Sequence, residues 1–195
     1  MPSCIEEDLH QFLDNLYQSK YDKIFYKWLS QNDYLWAENE NIHQSGLLIP
    51  RENLDFFGIK KLPKTNQTYE FEIKWFLNDK TYTRRDVKYT RSDFATLKYY
   101  IGGNRRNRPE THLTNVYNPY FKDLNPSPLF LIARIPGEKY TFDAIIIDND
   151  DLIKKAFDEL NISEGSSNGT LSVIESQTVM DFDLSQELYS ILYSK

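Results

Sequence analysis

The sequence predicts a mainly β protein, a seven-stranded open β-barrel with flanking helices, and three observations support this. Residues 68–77 alternate apolar and polar side chains, as a strand with one buried face does. Two apolar runs, 129–135 and 140–147, are joined by a short segment that contains Pro136 and Gly137. Stretches near both ends of the chain have the apolar spacing of helices, so a barrel flanked by helices accommodates all of these elements.

The N-terminal elements follow from their apolar spacing. Residues 6–17 carry apolar side chains at i, i+3, i+4 and i+7, which predicts a helix. Residues 23–29 are rich in aromatics and predict a strand, and 45–50 predict a short buried strand that ends at a proline. Between them, residues 30–44 are polar and without a period, which predicts a loop.

The remaining elements come from alternation and turn residues. Residues 81–89 follow a turn after 68–77 and predict its hairpin partner. Residues 92–100 predict a short helical turn, and 151–160 an amphipathic helix capped by Asn149 or Asp150. The glycine- and serine-rich residues 164–170 predict a flexible linker, and a short helix is expected around 184–192.

Length and composition set the domain organisation. The chain has 195 residues, of which 40% are hydrophobic and 15% aromatic, enough for one packed core. We expect a helical extension in residues 1–19, the barrel in 20–162, and in 163–195 a linker and tail that leads toward or docks a further domain. Apolar runs are too short to span a bilayer and the N-terminus lacks a signal-peptide pattern, so a cytoplasmic protein without a membrane partner is expected.

The charge of the chain is segregated. The net charge is −6, but residues 80–108 hold nine bases and two acids, a net charge of +7. Residues 138–195 hold twelve acids and four bases, a net charge of −8. Such segregation gives one face a positive potential while the protein stays soluble, so the middle third is the predicted interaction surface.

Residues 99–114 form the most informative stretch, because a Gly-Gly pair precedes several arginines. Guanidinium groups fit phosphate oxygens and the major-groove edge of guanine, and a carboxylate can accept from the amino group of cytosine. The alternative is a solvated loop whose arginines pair with surface acids. The side chains that favour nucleic acid are Arg105, Arg106, Arg108, Glu110 and His112. The Asn and Gln residues of 30–44 could pair with the edge of adenine, although alone this signal is weak.

Two other classes of function remain open. Asp55, Glu72 and Lys74 mimic the carboxylate and lysine spacing of metal-dependent nucleases, in which carboxylates hold Mg²⁺. Alternation on any half-exposed strand also produces this Glu-x-Lys pattern by chance. A protein-interaction module that uses the acidic tail is the third class, and it would need no arginine-bearing segment. One cysteine, Cys4, and three scattered histidines support neither a disulfide nor a zinc site.

Three motifs resemble the N-terminal effector domain of the EcoRII-type restriction endonucleases. They are YKWLSQND at residues 26–33, HQSGLLIP at 43–50 and RPETHLT at 108–114. The resemblance covers roughly residues 20–162, and the motifs follow one another in the family's order. Pro109 stands where the family has Asn, and His112 where an Arg is usual, which leaves the target sequence open.

The resemblance implies a B3-like DNA-binding pseudobarrel that holds the major groove of duplex DNA between two arms. The N-arm would be residues 27–32 with His43 and Gln44, and the C-arm residues 105–112. A CCWGG-like site is the family's target, and this chain would need no cofactor, with Mg²⁺ required only if a nuclease domain is attached. The predicted DNA-binding residues are Lys27, Ser30, Gln31, Asn32, Asp33, His43, Gln44, Lys98, Arg105, Arg106, Asn107, Arg108, Glu110, Thr111 and His112.

Overall fold

The structure of the protein, a computed structural model, contains three α-helices, one 3-10 helix and ten strands among the residues it describes. Those residues are 4–38, 46–76, 81–84, 87–90, 92–100, 110–114, 124, 127–137, 141–163 and 165–173. The elements are α1 (Cys4–Tyr17), β1 (Lys23–Trp28), α2 (Gln31–Glu38), β2 (Leu47–Leu48), η1 (Arg51–Phe57, 3-10), β3 (Gln67–Trp75), β4 (Thr81–Arg84), β5 (Val87–Thr90), β6 (Ser92–Tyr100), β7 (Glu110–Thr114), β8 (Leu129–Arg134), β9 (Thr141–Ile147), α3 (Asp150–Leu160) and β10 (Asn168–Ser172).

Eight of the strands form one sheet in the order β10-β1-β8-β9-β3-β6-β7-β2, and β4 and β5 form a separate hairpin. Neighbouring strands are antiparallel except β3 and β9, which are parallel. The Lys27 ammonium group on β1 donates a hydrogen bond to the carbonyl oxygen of Leu48 on β2 over 2.8 Å, so the two ends of the sheet approach each other. The predicted fold class, mainly β with an open barrel and flanking helices, is confirmed, with eight strands in the curled sheet instead of seven.

The inner side of the curled sheet is filled by one apolar cluster. The 3-10 helix η1 contributes Phe56 and Phe57, which contact aromatic rings from the strands. The ring of Phe57 lies 5.6 Å from that of Phe71 and 5.7 Å from that of Phe142, centroid to centroid. Aromatic pairs at this spacing stabilise a core beyond the area they bury, so η1 is part of the barrel's interior.

A second apolar cluster lies between the sheet and the helices α1 and α3. The buried side of α1 is the stripe predicted from the sequence, with Leu9, Phe12, Leu13 and Leu16 each at most 3% exposed. Helix α3 begins with Asn149, whose side chain accepts a hydrogen bond from the Leu152 amide, and it ends at Asn161 in the left-handed region. Both predicted helices are confirmed, and the cap is Asn149. Among the described helices, none is long and apolar enough to cross a membrane.

Four predicted segments were wrong, because contacts outside each segment override its local composition. Residues 81–89 were predicted to pair with β3, but β4 pairs with β5, while β3 pairs with β6 and β9. The predicted loop 30–44 contains helix α2, and the predicted helical turn 92–100 is strand β6, paired with β3 along eight residues. The predicted linker 164–170 ends in β10, which pairs with β1. Polar and glycine-rich residues suit a strand there because the Tyr26 ring lies directly over Gly169. The predicted domain boundaries stay a prediction, and the expected helix at 184–192 lies outside the described residues.

A polar cluster beneath α1 gives the protein a predicted sensitivity to alkali. The Tyr21 hydroxyl and the Lys20 ammonium both donate to the buried carboxylate of Asp143, at 2.7 and 2.8 Å. Burial, followed by the charge of Asp143, raises the pKa of Tyr21 above its ordinary value of 10. The unfolded chain therefore loses this proton at a lower pH than the folded one, so the contribution of Tyr21 to stability is full below about pH 10 and falls above it.

The expected result is a drop in the free energy of unfolding between pH 8 and pH 10.5, measured by urea denaturation. Tyr21→Phe should make that drop smaller, although its stability at pH 8 is lower because Asp143 loses a donor. Part of the drop should remain, since burial and Glu159 also raise the pKa of Tyr17. An equal drop in wild type and variant would show that Tyr21 does not titrate in this way.

Candidate nucleic-acid interface

The arginine-bearing residues connect two paired strands. Strand β6 ends at Tyr100 and β7 begins at Glu110, and these two residues lie opposite each other in the ladder. Residues 101–109, here the C-arm connection, therefore join the strands of one hairpin and hold Arg105, Arg106, Asn107 and Arg108, which lie outside the described residues. The paired strands at its base fix where this connection starts and ends.

The N-arm connection, residues 29–46, links β1 to β2. It opens with helix α2, where Gln31 and Asn32 are exposed in the first turn. Its predicted base-reading residues His43 and Gln44 lie outside the described residues. The connection ends at Gly46, just before β2 pairs with β7. Both predicted arms are thus attached to the same corner of the sheet, made by β2, β7 and β6.

The attachment points of the two connections lie at opposite ends of β7. Strand β2 runs antiparallel to β7, and Gly46 lies against Leu113 and Thr114 at the end of β7. The C-arm connection leads into Glu110 at the start of β7. Four residue steps along a strand span about 13 Å, which is close to the roughly 12 Å width of the major groove of B-DNA.

Gly46 is required by this geometry, although the sequence analysis did not single it out. Its φ is +113°, and a Cβ atom at this position would lie 2.3 Å from the carbonyl oxygen of Leu113. Gly46→Ala should therefore destabilise the protein by more than about 2 kcal/mol, because the strand pair must shift in addition to the strain of positive φ. Urea denaturation measures this.

Gly58→Ala is the matched control, because Gly58 has φ +79° and open space around the position of a Cβ atom. It should cost only the conformational strain, about 1–2 kcal/mol. Equal losses in the two variants would mean that the contact with Leu113 is unimportant.

The outer face of this corner carries a mixed row of side chains. Leu48, His112 and Lys98 lie opposite one another on β2, β7 and β6. Leu48 is 41% exposed, Lys98 is half-buried, and His112 is only 3% exposed. Two residues earlier on β7, the half-buried Glu110 places a carboxylate oxygen 3.3 Å from Nε2 of His112. Lys98 and Glu110 are thus the predicted DNA-binding side chains of this face that reach the surface.

Several predicted contact residues are buried, which changes the role we assign to them. Thr111 is buried on the same side of β7 as the core residue Leu113, and its carbonyl accepts a hydrogen bond from the Ile49 amide. Lys27 and Asp33 form an ion pair of 2.5 Å, with side chains 11% and 5% exposed. We therefore assign to these residues and to His112 a structural role at the base of the two arms, not direct contact with DNA. The exposed predicted residues in the described part of the N-arm are Ser30, Gln31 and Asn32.

The nuclease-like trio is not brought together. Asp55 lies on η1 and pairs with Lys23 at the start of β1, at 3.3 Å between the charged atoms. Glu72 and Lys74 lie on β3, which is separated from β1 by two strands, or about 14 Å across the sheet. Within the described residues, no group of three His, Cys, Asp or Glu side chains could hold a metal ion. The Asp55, Glu72 and Lys74 arrangement therefore does not form a nuclease site.

Two solved structures are similar to this chain. One is the B3 domain of the UbaLAI restriction endonuclease with cognate DNA, with 20% identity and a TM-score of 0.48, over 84% of this chain and 97% of that one. The other is the N-terminal domain of Helicobacter pylori LlaJI.R1, with 14% identity and a TM-score of 0.45, over 76% and 97%. No family model matches the sequence, and no curated protein matches it.

Proposed function

We propose that this chain is a sequence-specific duplex-DNA-binding domain, the effector or target-recognition part of a restriction endonuclease, which contacts the major groove with two arms. The observation that carries the proposal is the shared base of the arms. The arginine-bearing C-arm connection leads into the start of β7, and the polar N-arm connection ends at Gly46, beside the other end of β7. The sheet thus holds the attachment points of the two connections about one major-groove width apart. Their polar and arginine side chains suit base edges and phosphates.

The charge distribution supports the same proposal. The bases of residues 80–108 lie on β4, β5 and β6 and on the segments that link β3 to β7. Arginine and lysine side chains concentrated in one part of the chain can neutralise several phosphates, which supplies most of the affinity for DNA. The acidic C-terminal third keeps the net charge negative.

The chain by itself binds without cutting in this proposal. A nuclease domain, linked covalently or supplied by a partner, would perform the cleavage and would hold any Mg²⁺. The target is a short specific site, for which a CCWGG-like sequence is the starting hypothesis from the family resemblance.

A selection experiment tests the proposed function. The chain is incubated with a randomised 20-base-pair duplex library without metal, and bound DNA is sequenced over successive rounds. One short motif should be enriched, and the affinity for it should fall with salt with a log–log slope of about −0.9 for each phosphate contacted. Absence of any enriched motif, or an affinity that is independent of salt, would refute the proposal. Cleavage of the enriched duplex in Mg²⁺ would show instead that this chain is a nuclease.

A further inference from the structure

A buried polar cluster fastens both ends of the N-arm connection. Asp33 lies in the first turn of α2, and its carboxylate accepts from the amide and the hydroxyl of Ser30, at 2.9 and 2.7 Å. The bond from the Ser30 amide is one half of a capping box, in which a side chain of the first turn reaches back to the residue that precedes the helix. The same carboxylate accepts from the Leu48 amide at 3.3 Å, after the chain has returned to the sheet. One side chain therefore binds the start of the connection and the strand that follows it.

Lys27 completes the arrangement from the opposite end of the sheet. Its ammonium group donates to Asp33 at 2.5 Å and to the Leu48 carbonyl at 2.8 Å. The amide and the carbonyl of Leu48 are thus both bound by the ion pair, on the edge of β2 that faces away from β7. An unpaired strand edge normally needs covering, and here two charged side chains cover it.

The cluster connects strands from the two ends of the sheet, so its effect extends beyond the N-arm connection. Strand β1 is second from one end of the eight-stranded sheet and β2 is at the other end. The three residues Lys27, Asp33 and Leu48, here the closure cluster, therefore join the two ends of the barrel. Leu48 also lies opposite His112 on β7, the strand that leads back to the C-arm connection.

We propose that the closure cluster is a positioning device that fixes the N-arm relative to the C-arm, so that discrimination between DNA sequences depends on it. Lys27 and Asp33 act through the backbone of Ser30 and Leu48 and do not themselves contact bases, because both side chains are buried and bound to each other. Base readout requires side chains from both arms to meet their base edges at the same time, whereas phosphate contacts tolerate small shifts. This inference rests on the proposed function and assigns to two residues a role different from direct contact.

The test is a charge-neutral double variant, Lys27→Met with Asp33→Asn. Replacement of both partners of a buried ion pair by neutral groups is tolerated far better than removal of one, so the fold should persist. The matched control is Lys23→Met with Asp55→Asn, which removes a more exposed lysine–aspartate pair whose lysine also lies on β1. Both double variants leave the net charge unchanged, so any difference between them does not come from the overall field of the protein.

Each variant is titrated against two duplexes of the same length, the one enriched by the wild-type protein and a scrambled one, and the ratio of the two affinities is compared. The titrations are done well below the melting temperature of each variant. The Lys27→Met/Asp33→Asn variant should lose about tenfold in this ratio, the size of one good base contact, with its affinity for scrambled duplex within about twofold of wild type. The control should keep the ratio within about twofold. If the first variant does not fold, Lys27→Gln with Asp33→Asn keeps a donor toward Leu48 and takes its place.

The outcomes separate the inference from the proposed function. An unchanged ratio in the folded double variant would show that the closure cluster is only structural, and an equal loss on both duplexes would show that Lys27 contacts phosphates directly. Either result overturns the inference while DNA binding stands. A wild-type protein that enriches no motif would overturn the proposed function, and the inference with it.

Discussion

Asp33→Ala is expected to reduce the free energy of unfolding by about 3–5 kcal/mol, because it removes one partner of a buried ion pair and leaves the other. Lys27 would keep its hydrogen bond to the Leu48 carbonyl, but its charge would remain buried without a carboxylate. The Ser30 amide and the Leu48 amide would each lose an acceptor as well. Such a loss is a large share of the 5–15 kcal/mol that typically separates folded from unfolded protein.

Urea denaturation followed by circular dichroism gives this number, and the melting temperature should fall by roughly 10 °C. Asp55→Ala is the matched control, since it also removes an aspartate bound to a lysine of β1. That pair is exposed, with Asp55 55% and Lys23 32% accessible, so its loss should cost at most about 1 kcal/mol. A loss for Asp33→Ala no greater than that for Asp55→Ala would mean that the closure cluster contributes little to stability.

The fold class could be predicted because several elements have strong periodic patterns. The alternation in 68–77 and the apolar runs at 129–135 and 140–147 correspond to β3, β8 and β9. These strands are buried on at least one face, so the pattern of side chains follows directly from the pleat. The stripe of α1 was predictable for the same reason, since four apolar side chains on one helical face require an apolar partner.

The missed elements depend on contacts with residues outside the segment itself. Helix α2 has almost no apolar face, and its start is set by Asp33, which also binds Lys27 and Leu48. Strand β10 contains a Gly in a polar segment and is a strand because it pairs with β1, more than a hundred positions earlier. Local propensity contains no information about such pairing.

The candidate site stays a prediction, and the structure shows only where its two segments are attached to the sheet. The polar segment leads into β2 and the arginine-bearing segment into β7, and these two strands are neighbours in the sheet. Burial of Lys27, Asp33, Thr111 and His112 could not be predicted, because charged and polar residues are usually exposed. One signal was available in the sequence: Ser30 and Asp33 have the three-residue spacing of a helix start, and Lys27 lies three residues earlier.

Arg108→Ala is expected to reduce specific binding by about 10- to 100-fold while non-specific binding changes little. Arg108 lies two residues before Glu110, the first residue of β7, and side chains two apart on an extended chain point to the same side. A guanidinium bidentate to guanine contributes roughly 1–3 kcal/mol of discrimination. Glu110→Gln should have a similar but smaller effect through cytosine, and the amide keeps an oxygen near His112, so the hairpin base is preserved.

Arg105→Ala provides the contrast within the same connection. Arg105 follows the Gly-Gly pair closely, which favours contact with phosphates, so its loss should weaken binding to specific and scrambled duplexes about equally and reduce the salt slope by about one unit. Titration of each variant against both duplexes at two salt concentrations distinguishes the two roles. If Arg108→Ala weakens binding to both duplexes equally, the C-arm connection contacts only the DNA backbone. The bases must then be read by the N-arm, where Gln31 and Asn32 are exposed amide side chains in the first turn of α2.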